Sequence, residues 1–282
     1  MLPSLHRHAL AALCALAPLT LHAETAPGFR APVDRAFTAT WDGSTQRYIL
    51  LTPEAHRPGD RRDLLIALHG HGADRMQFAM HPRDECRAAR DAAAEAGIFF
   101  VSPDYRAKTS WMGPAAEADL AQLIALLKSE FGIERVLLCG GSMGGSSALT
   151  FTALHPDLVD GVVALNATAN HLEYENFQEA IAESFGGAKH EIPVEYHRRS
   201  AEYWPLAFTM PVALTTGGRD TAVPPDSVAR LAGILQKIGA IVLHIHRPDG
   251  GHATNYEDTR AALAFVLERM PRTDDPAHSP AD

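Results

Sequence analysis

The chain has 282 residues, 46% of them hydrophobic, enough for one sizeable core in a single α/β domain. Its net charge of −9, with no basic run, excludes nucleic acid as an expected partner, because phosphate binding needs clustered Lys and Arg. The modest acidic balance otherwise speaks only to solubility.

The chain opens like a secretory signal. Arg7 gives a positive start, residues 9–17 an apolar core, and Leu21-His22-Ala23 a small-residue exit. Residues 1–23 are therefore expected to be removed, leaving a secreted or periplasmic protein with no stable membrane association. The alternative is an uncleaved N-terminal helix; the apolar stretch is short for a membrane span. Cys14 would suit a lipoprotein signal, but Leu13 is bulky where a small residue is expected. The other cysteines, Cys86 and Cys139, permit one disulfide, yet Cys139 falls in an apolar strand and reads as a buried thiol.

Residues 24–36 are rich in Pro and Ala and read as a loose lead-in to a domain over 37–271. Residues 37–41 and 46–51 form a hairpin around Gly43. Strands at 64–68, 98–102, 135–139 and 161–166 then alternate with helical patterns, which predicts a mainly parallel sheet with helices on both faces. Leu120, Leu123, Ile124, Leu127 and Phe131 recur at helical spacing over 115–131. Val228, Leu231 and Leu235 mark a helix started by Pro224-Pro225, and Leu263, Val266, Leu267 and Met270 a last one. Residues 272–282, rich in Pro and Asp, are expected to be disordered.

Gly140-Gly141-Ser142-Met143-Gly144 closes the strand that ends at Cys139 and precedes a helix. A Gly-x-Ser-x-Gly in that setting is a nucleophile elbow. Chain order then requires an acid followed by a histidine. Asp220 follows the short strand 211–216, and His252 follows the strand 241–246. Both sit past strand ends, where ligands bind in parallel sheets. Ser142, Asp220 and His252 are the expected triad. Asp226 is the rival acid, but after Pro225 it reads as a helix-start residue. The oxyanion donors are expected from the backbone N–H of Met143 and from His69-Gly70-His71-Gly72 after an early strand. His71 is the assigned donor and Gly72 the neighbouring possibility.

With these blocks in view, the chain resembles the α/β-hydrolase superfamily. The resemblance rests on Leu68-His69-Gly70-His71-Gly72, Gly140 to Gly145, Gly217-Gly218-Arg219-Asp220-Thr221-Ala222-Val223-Pro224 and Gly250-Gly251-His252. It looks like the prolyl oligopeptidase and dienelactone hydrolase branches and secreted feruloyl and acetylxylan esterases. Prolyl oligopeptidases usually carry a large N-terminal propeller, for which 282 residues leave no room. The resemblance implies an α/β-hydrolase fold with a small cap after the sixth strand, here 167–204. It also implies hydrolysis without a cofactor.

Residues 167–204 concentrate aromatics, including Tyr174 and Phe177. They are expected either to contact the substrate or to pack internally. Trp111 is a further candidate contact. His69, His71, His244 and His246 lack ligand-spaced carboxylates or cysteines and do not predict a metal. Ser146 and Ser147 read as structural, and the sequon at Asn166 reads as buried. The expected function is hydrolysis of a small-molecule or carbohydrate ester. The alternatives are a serine peptidase acting on short peptides, and a non-catalytic binding protein on the same scaffold.

Overall fold

The computed structural model describes residues 27–57 and 62–271. The expected signal segment with Cys14, and the tail at 272–282, lie outside the described residues. Eight strands run β1 (Val33–Thr38), β2 (Thr45–Leu51), β3 (Leu64–Leu68), β4 (Phe99–Pro103), β5 (Val136–Gly141), β6 (Gly161–Leu165), β7 (Val212–Gly217) and β8 (Val242–Arg247). Their spatial order is β1-β2-β4-β3-β5-β6-β7-β8. β2 pairs antiparallel with β1 and β4, and every other pairing is parallel.

The central strands are apolar on both faces because helices cover both. In β5, Val136 and Leu138 face one core while Leu137 and Cys139 face the other, as two-residue strand periodicity requires. The first core is built with α3 (Pro114–Phe131), α4 (Met143–Leu154) and α7 (Asp226–Lys237). The second is built with α1 (Met76–Met80), α2 (Asp84–Glu95) and α8 (Tyr256–Arg269). Cys86 and Cys139 are both buried free thiols.

One expectation needs correction, and one helix escaped the sequence reading. Residues 24–36 are not a loose lead-in over their described part: Phe29 is fully buried, bridges to Pro53, and is followed by β1 from Val33. β1 is an edge strand with mostly exposed side chains, so it lacks the apolar alternation that identifies a half-buried strand. The helix α2 carried no large apolar stripe. It buries Ala88, Ala89, Ala92 and Ala93 instead, a face whose small side chains give little periodic signal.

Between β6 and β7 the chain leaves the sheet for α5 (Gln178–Phe185), α6 (Pro193–Arg198) and two short 3₁₀ turns. Arg199, fully buried, ties this excursion to the body. Its guanidinium reaches Glu117 on α3 at 2.7 Å, Glu195 at 2.6 Å and the carbonyl of Met112 at 2.6 Å.

Candidate active site

After β3 the chain moves outward to β4, then returns to lay β5 on the other side of β3. That reversal is a topological switch point, which opens a crevice beyond the strand ends. The loop after β3 brings His71 to it and the turn after β5 brings Ser142.

Ser142 occupies φ 58°, ψ −123°, a conformation disfavoured for an L-residue at a cost of about 1–3 kcal/mol. Its N–H donates to the Leu165 carbonyl at 2.8 Å, which helps hold the turn. Gly144 cannot be larger: a Cβ there would lie 2.0 Å from the carbonyl oxygen of Leu68. The loops after β7 and β8 approach as closely, since a Cβ on Gly217 would lie 2.2 Å from the carbonyl oxygen of Gly251. This backbone contact sets Asp220 against His252.

The three side chains form one hydrogen-bonded line. His252 Nδ1 lies 2.7 Å from Asp220 Oδ2, and His252 Nε2 lies 2.9 Å from Ser142 Oγ. Asp220 is buried, and its other oxygen accepts the N–H groups of Ala222 at 3.0 Å and Val223 at 2.9 Å. Those bonds hold the carboxyl in place against His252. Asp226 starts α7 and stands apart from this line. Among the described residues, neither the His71 N–H nor the Met143 N–H has an acceptor, whereas the Gly72 N–H donates to the Lys108 carbonyl at 2.7 Å. Gly72 is thereby excluded as a free donor.

The cleft around Ser142 has a volume of about 290 Å³ and is lined by His71, Asn166, Phe177, Ala222 and His252 among others. Phe177 is 41% exposed and holds φ 55°, an outlier for a bulky residue. Its ring lies 4.5 Å from that of His71.

Trp111 and Tyr174 do not line this cleft, which corrects Trp111 as a candidate contact and places Tyr174 with the internal-packing alternative. Trp111 is fully buried and its indole N–H donates to His71 Nδ1 at 3.1 Å, with the ring packed on Tyr174 and Phe177. Accepting the indole N–H at Nδ1 leaves the His71 proton on Nε2, and burial lowers the pKa of the ring. Tyr174 is 5% exposed and its hydroxyl donates to the Ala222 carbonyl at 2.8 Å, bracing the loop that holds Asp220. What the Tyr174 ring lines is a separate depression of about 430 Å³ beside α7. Both aromatics are packed because burying them gains more than exposing them at the cleft.

Asn166 is buried and donates to the Gly251 carbonyl at 3.1 Å, so the sequon lies in the machinery rather than on the surface. His244 and His246 both meet Thr216 Oγ1, at 2.8 and 2.9 Å. Sequence reasoning missed Gln77, Arg83 and Glu85, which also line the cleft. They come from α1 and the start of α2, where acidic and basic residues are ordinary and carry no motif.

The model of the prolyl oligopeptidase family matches residues 94–270, more than half of the chain. A 2-hydroxy-6-oxononadienedioate/2-hydroxy-6-oxononatrienedioate hydrolase of Klebsiella pneumoniae is 23% identical, over 76% of this chain and 89% of its own. A fluorophosphonate-binding serine hydrolase of Staphylococcus aureus superimposes with a TM-score of 0.64 at 17% identity, over 84% of this chain and 98% of that one. An acylaminoacyl peptidase of Pyrococcus horikoshii does so with a TM-score of 0.66 at 14% identity, over 88% of this chain. The chain spans only 43% of that peptidase's length. The chain belongs to the prolyl oligopeptidase family and is a serine hydrolase of the α/β-hydrolase fold.

Proposed function

We propose that the protein is an exported carboxylic-ester hydrolase acting through an acyl-enzyme. The observation that carries this reading is the unbroken line Ser142–His252–Asp220 next to two backbone donors that have no acceptor among the described residues. Ser142 Oγ attacks the ester carbonyl as His252 Nε2 takes its proton. Asp220 fixes the tautomer with the proton on Nδ1 and stabilises the imidazolium. The N–H groups of His71 and Met143 receive the oxyanion, each contributing about 3–4 kcal/mol to the transition state. His252 then protonates the departing alcohol and, in the second half, activates water to release the acid.

Esters are favoured over peptides by the small cleft beside Ser142. A peptidase of short substrates is the second reading, favoured by the family match. Export is proposed from the N-terminal pattern of Arg7, an apolar run and Ala23. The test is kcat/KM on p-nitrophenyl acetate and butyrate beside proline-linked p-nitroanilides. Ester turnover well above amide turnover is expected; the reverse order overturns the ester reading.

A further inference from the structure

The Ser142 cleft has two unlike walls. One is aromatic, from Phe177 and His71. The other is polar, from Gln77, Arg83 and Glu85. Arg83 Nη2 lies 3.0 Å from Glu85 Oε1, with the arginine side chain 44% exposed and the glutamate 9%. The Glu85 carboxyl reaches the elbow itself, since Oε1 lies 3.6 Å from the position of a Cβ on Gly141. Burial raises the Glu85 pKa, against the charges of Arg83 and His252 and the N–H of Thr254. Lining the same cleft as His252 and reaching the elbow at Gly141, the carboxyl borders the space in which a leaving group takes its proton from His252. Gln77 Oε1 accepts the Gly70 N–H at 2.7 Å, and among the described residues its Nε2 has no acceptor.

We propose that Gln77, Arg83 and Glu85 form a leaving-group subsite for an uncharged, hydroxylated alcohol such as a polyol or sugar. This rests on the ester-hydrolase reading above. The wall offers donors from Arg83 and Gln77 and an acceptor from Glu85, which matches hydroxyls that both give and take hydrogen bonds. Its two charges cancel. A carboxylate would be repelled by Glu85 and an ammonium by Arg83, so a neutral polar group suits both. A leaving group without hydroxyls would strip water from these groups and return no hydrogen bond.

Propyl acetate and glyceryl monoacetate test this, because they share an acyl group and nearly a shape and differ by two hydroxyls. The wild type is expected to favour glyceryl monoacetate in kcat/KM by about tenfold or more, the effect of hydrogen bonds to charged groups. Arg83→Met and Glu85→Gln, each checked for an unchanged melting temperature, are expected to bring that ratio close to one. Equal wild-type rates on the two esters, or a ratio that survives in both variants, overturns the subsite while leaving the ester reading intact. Turnover of neither ester by wild type that cleaves anilides overturns both.

Discussion

At the scale of residues, His252 binds two partners at once, and each makes a distinct prediction. Ser142→Ala and His252→Ala each abolish nearly all turnover, and the double variant is barely worse than either single, because the groups act as a unit. Additive losses in single-turnover kinetics contradict this. Asp220→Asn lowers kcat by about 10⁴-fold through the wrong tautomer, whereas Asp226→Asn leaves kcat within about twofold, the usual result for an exposed helix-start acid. The two aromatics of the excursion separate in the same way. Phe177→Ala changes preference among bulky esters more than acetate turnover, because its ring lines the cleft. Tyr174→Ala lowers the melting temperature and slows all esters alike, because its hydroxyl braces the Asp220 loop. An ester panel with thermal melts distinguishes these outcomes. The elbow, acid and histidine were legible in the sequence because chain order and strand ends constrain them together. The polar wall was not, because Arg83 and Glu85 look like any helix start until the fold brings them to Ser142.

At the scale of elements, a charge cluster around buried Arg199 is one anchor of the excursion between β6 and β7. Burial alone would raise the Glu117 carboxyl. The hydrogen bond from His155 and the charges of Arg199 and Arg198 outweigh it and hold the pKa at about 2. A carboxyl depressed in the folded state stabilises fully above its unfolded value, near 4.5, and that stability is lost as pH falls toward 2. The contribution is on the order of 3 kcal/mol by linkage. Glu117→Gln therefore destabilises by about 3 kcal/mol at neutral pH, since Arg199 loses one of its two carboxylates in a buried site. It also flattens the pH dependence of stability between pH 4.5 and pH 2. Urea melts across that range check both, and a slope unchanged from wild type refutes the coupling. Hydrogen exchange around residues 195–200 should rise first, because Arg199 bonds directly to Glu117 and to its neighbour Glu195. The excursion was legible as a break in strand–helix rhythm. Its anchor was not, because Glu117 and Arg199 are 82 residues apart.

At the scale of the whole molecule, the sheet order decides where chemistry occurs. The parallel run of β3, β5, β6, β7 and β8 puts the loops after them at one end of the sheet, and the reversal between β4 and β5 opens the crevice there, between two cores packed on either face. Among the described residues, no helix is long and apolar enough to cross a membrane. The central claim is that Ser142 is the acyl-carrying nucleophile. The most direct measurement is intact mass and peptide mapping after brief treatment with a fluorophosphonate. The account predicts one adduct, on Ser142, in the wild type and in Asp226→Asn, with none in Ser142→Ala. An adduct on another residue, or labelling undiminished in Ser142→Ala, would contradict it.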